Sequence, residues 1–261
     1  MKPLEMIDLS VVVLHFNQWN LTKDCLVSID AQEIRCSYEK VLVDNGSTTP
    51  LLPGWPGLAA EKAGWKIVRY EKNISHISGQ NRCFESAHGE WVLFVANDVR
   101  LHQNCVNLLW NARDPKAILQ PLLWTASGEV DNGGLQWRWP GYGISQKRSG
   151  SLNPDCFTSS CYLMHHQTWE SATFDEALLT SHEDVDYSLL IRKAGGYIRC
   201  QALAYATHLG NATLRHQPSH NRAAFHRDRV YTVNKHYFGI DRLTRLWTIN
   251  LIDGILSIIR R

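Results

Sequence analysis

Four places in this chain hold side chains that can do chemistry, and each follows a recognisable local pattern. Asp44 comes directly after the apolar triplet Val41-Leu42-Val43 and opens the tetrapeptide Asp44-Asn45-Gly46-Ser47. That tetrapeptide is a competent turn, because Asp and Asn fold back on their own backbone and Gly accepts a positive φ. An acid at a strand end can equally recognise a base or a ribose. Asp98 follows Phe94-Val95-Ala96-Asn97. A carboxylate there either caps the next turn or holds a hard divalent cation, with a diphosphate completing the oxygen shell. Glu183-Asp184-Val185-Asp186 opens a stretch of helical spacing. Acids in a first turn are favoured by the helix dipole, or one of them faces a cleft as a general base. His208 closes a run from Tyr197 to Thr207 and is either a satisfied core histidine or a metal ligand.

The elements that must position these groups alternate in period. Leu9 to Phe16 is β-branched and reads as a strand, and the following pattern puts Leu21, Cys25 and Ile29 on one helical face. Val41 to Val43, Trp65 to Arg69 and Trp91 to Val95 are further strands, with a helical stretch from Gln80 to His88 and a turn at Gly89 before the last. Strand-helix alternation predicts an α/β fold with a mostly parallel sheet covered on both faces. Ligands in such sheets bind beyond the carboxyl ends of the strands, which is where His15, Asp44, Asn97 and Asp98 fall. From Trp124 to Ser160, Trp and Gly residues without periodicity predict long loops and a hairpin at Asp131 to Gly134. Tyr187, Leu190, Ile191 and Ala194 then fall at helical spacing before a Gly195-Gly196 stop. A strand from Tyr197 to Thr207 and helices over about Ser219 to Tyr237 and Arg242 to Ile259 complete the chain.

Composition narrows the class. Among 261 residues, 27 Lys and Arg stand against 25 Asp and Glu, a balance that gives no sign of a nucleic-acid binder driven by phosphate neutralisation. The seven cysteines form no Cys-x-x-Cys pair, so neither a zinc ribbon nor a disulfide framework is expected, and a cytoplasmic location is. The first apolar run is too short for a signal peptide or a membrane span. Leu243, Trp247, Leu251, Ile255 and Ile259 recur every fourth residue and Arg260-Arg261 follow. This pattern fits an amphipathic helix resting on a membrane surface, on a partner subunit or on its own domain.

Order and spacing together say more than the single motifs. The blocks Leu9-Ser10-Val11-Val12-Val13, Val43 to Ser47, Asn73 with Gly79 and Asn81, and Ala87 to Phe94 come first. Asn97-Asp98-Val99, Phe174-Asp175-Glu176, His182 to Tyr187 and His208-Leu209-Gly210 follow. The series resembles family-2 glycosyltransferases of the GT-A fold, especially the bacterial rhamnosyl- and galactofuranosyl-transferase-like branch, over residues 9 to about 237.

The resemblance implies a Rossmann-like, mostly parallel sheet and a GT-A domain over residues 1–240. Residues 1–100 would be its nucleotide-sugar-binding half, 101–240 its acceptor half, and 241–261 a C-terminal amphipathic helix. It further implies that Asp44 reads a pyrimidine ring, that His15 and Ser47 line the nucleotide pocket, and that Asn81 and Asn97 lie at it. Asp98 would be the last acid of the metal-binding motif, and His208 would complete a Mn²⁺ or Mg²⁺ shell. Asp184 would be the catalytic base with Glu183 as its partner. The motif departs from the family at Ala96, where an acid or amide is usual, so Asp98, His208 and the donor diphosphate are left to hold the ion. The implied activity is inverting transfer from a UDP- or dTDP-sugar to a glycan or lipid-linked acceptor in cell-surface polysaccharide synthesis, by an enzyme at most peripheral to the plasma membrane. A nucleotide-sugar-binding pseudoenzyme would account for Ala96. A nucleotidyltransferase is disfavoured by the lack of a Gly-rich phosphate loop followed by a basic residue in the first βα turn.

Overall fold

The computed structural model describes residues 6–48, 60–148, 153–210 and 220–259, with side chains over 223–253 in the last stretch. Ser219, Arg260 and Arg261 lie outside the described residues, as do the side chains of Ile255 and Ile259.

The β-branched run makes β1 (Leu9–His15), and all seven of its residues are buried. Full burial follows from its central place. Beside it run β2 (Tyr38–Asp44) and then β3 (Lys66–Arg69) on one flank and β4 (Trp91–Ala96) on the other, all parallel. β10 (Cys161–His165) continues the sheet antiparallel to both β4 and β6 (Ala117–Trp124), and β11 (Tyr197–His208) runs parallel to β6. Six of these strands therefore share one direction. The two-fold side-chain alternation of β1 divides the core between the faces: Leu9, Val11 and Val13 pack on one side, Val12 and Leu14 on the other.

The last strand of the sheet, β5 (Val99–Leu101), pairs antiparallel with β11. Only Asn97 and Asp98 separate it from β4. The sheet thus curls back on itself, and the pairing of Val99 with His208 sets Asp98 beside the end of β11.

Helices among the described residues include α1 (Trp19–Asp30), α2 (His76–Glu85), α3 (Cys105–Asn111), α4 (His166–Ser171), α5 (Glu183–Lys193), α6 (His220–His236) and α7 (Gly239–Ile259). α2 begins four residues before the expected Gln80, because the Ser75 side chain accepts the Ser78 N–H and starts the helix there. The hairpin in the Trp- and Gly-rich stretch is also displaced. It joins β8 (Leu135–Arg138) to β9 (Tyr142–Ser145), while Asp131 lies within β7 (Val130–Asn132), which pairs with β6. β6 and β10 have no counterpart in the sequence expectations. Pro121 sits inside β6 without an N–H to donate, and β11 shifts register between Gln201 and Tyr205 opposite it.

Candidate active site

A cavity of about 380 Å³ opens at the carboxyl ends of the parallel strands. β1 and the residues after it contribute Leu14, Phe16 and Gln18, and Asn45 follows β2. Ala96, Asn97 and Asp98 come from the end of β4 and His208 from the end of β11. Asn73, His76, Ser159, Ser160, Thr180 and Glu183 complete the wall.

Asp44 is fully buried, and its Oδ1 accepts the N–H of Ser47 at 2.8 Å. Gly46 holds φ at +77°, and a Cβ on it would meet the Lys72 backbone at 2.3 Å, so the turn requires glycine here. Asp44 Oδ2 accepts no hydrogen bond, and the Arg69 guanidinium stands 3.6 Å from it. A buried carboxylate oxygen left over from the turn is what a ring N–H would satisfy. Asn45 is fixed by Arg82, which donates to its Oδ1, and by its own donation to the Ser75 carbonyl. Gly79 makes room for that contact, since a Cβ there would lie 2.9 Å from both Asn45 Nδ2 and Leu14.

Asp44, His15 and Ser47 are buried neighbours of lining residues and do not themselves line the cavity. His15 Nδ1 meets Thr22 Oγ1 at 2.7 Å, and burial lowers its pKa against the pull of Asp44. Ser47 Oγ accepts the Asn17 N–H. Asn81 does not reach the cavity. Its amide donates to the Phe174 carbonyl and to Glu176, and its Oδ1 accepts from Trp169 Nε1 and the Phe174 N–H. All its hydrogen-bonding capacity is spent tying α2 to the 174–176 segment, which corrects its expected place at the nucleotide.

Asn97 lines the cavity but donates its amide to Thr22 Oγ1 at 3.1 Å. Asp98 Oδ2 stands 3.5 Å from His208 Nε2, and Asp131 Oδ2 accepts from His208 Nδ1 at 2.9 Å. Burial disfavours charge on His208, yet Asp98 and Asp131 outweigh it and raise the pKa to about 9. Fixing Nδ1 on Asp131 leaves Nε2 as the nitrogen facing Asp98, and one carboxylate oxygen with one imidazole nitrogen is a donor set that suits Mn²⁺. Among the described residues no group of three or more His, Cys, Asp or Glu is arranged to hold a metal ion unaided. Asp131 stands 77 residues from His208 in a stretch whose composition predicts a turn, and no local pattern links the two.

Glu183 lines the cavity almost fully buried, accepting from Ser159 Oγ at 2.7 Å and Gln80 Nε2 at 3.4 Å. Gln80 in turn accepts from Tyr162 OH. Asp184 is not among the lining residues. Its Oδ1 accepts the Val185 N–H, and burial together with the Glu183 charge holds its carboxyl well above the usual carboxylate range. Asp186 turns the other way, to His236 at 2.7 Å and Lys235 at 2.8 Å on α6.

Residues 10–170 match the family model for glycosyl transferase family 2. The chain belongs to that family. The match contains Asp44 and Asp98 and ends before Glu183, Asp184 and His208. No curated protein matches the chain. Among solved structures, GalNAc-T7 with UDP, GalNAc and Mn²⁺ is similar at a TM-score of 0.66 and 16% identity, over 78% of this chain and 43% of that one. The chain therefore spans less than half the length of that relative. The mannosyltransferase PcManGT from Pyrobaculum calidifontis, with GDP-Man and Mn²⁺, gives 0.63 and 15% over 95% of this chain and 70% of that one. TarS 1-349 of S. aureus with UDP gives 0.57 and 18% over 92% and 70%. At these identities the likeness is one of fold, and the fold of this family 2 chain is the GT-A type.

Proposed function

We propose that the protein is an inverting, divalent-metal-dependent glycosyltransferase of the rhamnosyl- and galactofuranosyl-transferase-like branch. It would move a sugar from a UDP- or dTDP-sugar to a glycan or lipid-linked acceptor in cell-surface polysaccharide synthesis. The observation that carries this reading is the convergence of Asp98, His208 and Glu183 on one cavity at the carboxyl ends of the strands. The nucleotide and Mn²⁺ found with the structurally similar glycosyltransferases support it.

In this reading Asp44 Oδ2 accepts from the pyrimidine ring, with His15 and Ser47 shaping the turn behind it. Asp98 and His208 would hold Mn²⁺ or Mg²⁺, with Asn97 beside them. Such an ion supplies neutralisation of the charge that grows on a leaving diphosphate. Asp184 takes the proton of the acceptor hydroxyl as that oxygen attacks the anomeric carbon from the opposite face. One feature supports the assignment: burial, then the Glu183 charge, raise the basicity of Asp184. A GT-A unit over 1–240 with donor and acceptor halves remains the proposed division, followed by a helix in contact with a membrane. No helix among the described residues is long and apolar enough to cross one. An exposed row of Leu243, Trp247 and Leu251 on α7 supports peripheral contact at the inner face of the plasma membrane.

The deciding experiment screens a panel of nucleotide sugars for Mn²⁺-dependent release of the nucleoside diphosphate. Release with one donor is expected. Donor binding without release would instead identify a pseudoenzyme, and release of pyrophosphate a nucleotidyltransferase.

A further inference from the structure

The acids at the start of α5 are reached through a short segment that α5 itself does not hold. Leu178 is buried, Thr180 lines the cavity, and His182 sits at the helix start with φ +68° and no side-chain cap. That left-handed residue separates irregular backbone from the helix, and helical bonding begins only with Asp186 N–H to the His182 carbonyl. The three successive N–H groups of Leu179, Thr180 and Ser181 need another acceptor.

They find one on α6. Asp228 is fully buried, and its carboxylate accepts from Leu179 N–H at 3.0 Å, Thr180 N–H at 2.9 Å and Ser181 N–H at 3.1 Å. The Thr180 hydroxyl lies 3.4 Å away and the half-exposed Arg227 guanidinium 3.3 Å away. A carboxylate taken wholly out of water is costly unless such donors surround it. Here they gather three adjacent backbone positions onto one point. One turn further, Asp186 of α5 is gripped from the same helix by His236 and Lys235.

We propose that Asp228 is a positioning residue for the transfer reaction: it fixes the 179–182 segment and so sets Thr180 and the Glu183-Asp184 pair against the acceptor side of the cavity. This rests on the reading of that cavity as the transfer site. The residues assigned to the nucleotide, Asp44 and the turn after it, lie at the ends of β1 and β2, and the Asp228 carboxylate bonds to the 179–181 backbone instead. Its removal therefore disturbs the chemical step and spares the donor.

The test uses the full chain, Asp228→Asn and, as a control, Thr232→Val. Thr232 is also fully buried on α6 and donates to the Asp228 carbonyl, but it makes no bond to the 179–182 segment. In Asp228→Asn, amide hydrogen exchange over 179–182 is expected to speed up about tenfold or more, and kcat to fall about tenfold or more. UDP affinity by calorimetry and the donor KM should stay within about twofold. Thr232→Val should leave all four readings near wild type. Unchanged exchange in the segment, an unchanged kcat, or an equal kcat loss in Thr232→Val would each overturn the proposal. If Asp228→Asn does not fold, the same readings are taken on Asp228→Ser, which removes the charge without setting an amide N–H against the backbone donors. A wild-type protein that turns over no donor would defeat the functional reading, and the exchange data would then decide by themselves whether Asp228 holds the segment.

Discussion

Glu183 and Asp184 are adjacent in the chain and meet different surroundings, and that difference makes their roles separable. Asp184→Asn keeps the size and one acceptor oxygen but removes basicity, so donor affinity should survive while kcat falls about 10²- to 10⁴-fold. Glu183→Gln should cost less, and a larger loss in Glu183→Gln would move the base to the residue that lines the cavity. Asp131 works through His208. Asp131→Ala should weaken Mn²⁺ binding in the presence of UDP about tenfold, read by electron paramagnetic resonance, and Asp98→Ala should weaken it more. Equal Mn²⁺ affinity in Asp131→Ala would leave that contact structural. His182 supplies a pH prediction. Burial, then Arg229, lower its pKa to about 4, against the pull of Asp228 and Asp186. An unfolded histidine titrates near 6.5. The unfolded chain therefore binds the extra proton first as pH falls, so His182 contributes stability that is fully present above pH 6.5 and is lost between 6.5 and 4. At pH 5 the loss is about 2 kcal/mol. His182→Asn, which tolerates the left-handed backbone, should flatten that part of the urea-stability profile between pH 7 and pH 5.

At the scale of elements, a physical rule separates what could be read ahead from what could not. β1, β2, β4, α5 and β11 carry strong periodic patterns and stand close to where their residues predict. The ends of these strands were legible for the same reason, and with them Asp44, Asp98 and His208. α2 started early because a serine cap outweighed the spacing of its apolar residues. β6 was hidden by Pro121, which is tolerated only because β11 bulges opposite it. Asp131 and Asp228 act across 77 and about 50 residues of chain, and no local pattern encodes such pairing. One side of α7 packs: Ile249 is buried, and Asp253 meets His226 and Arg229 of α6. Trp247 nonetheless stays 68% exposed and Leu243 59%, which is a large apolar surface to leave in water. If a membrane covers it, the full chain should float with anionic liposomes while Trp247→Glu stays in the soluble fraction. Equal recovery of both in the soluble fraction would assign the row to something other than lipid.

For the molecule as a whole, the proposed division into donor and acceptor halves does not coincide with a division of the fold. The 1–100 segment supplies β1 to β4, but β4 is bonded to β10 along its other edge, and Val99 and Arg100 pair with β11. Both faces of the sheet mix the halves. Phe94 stacks on Tyr162 at 5.1 Å between ring centroids, Phe84 on Trp169 at 5.4 Å, and Leu93 shares its cluster with Leu119 and Leu163. A chain cut after residue 100 would expose the β4 edge and strip Phe84 and Phe94 of those partners, each aromatic being the kind of core side chain whose lost contacts cost about 3 to 5 kcal/mol. Marginal domain stability cannot absorb two such losses. The isolated 1–100 segment should therefore show no cooperative urea transition by circular dichroism, and the full chain should unfold in a single step. A folded 1–100 fragment, or two resolved transitions in the full chain, would show that the halves are independent units. The same continuity brings the site together: the curl that leads β4 into β5 sets Asp98 beside His208, so a half that folded by itself would hold only one of the two.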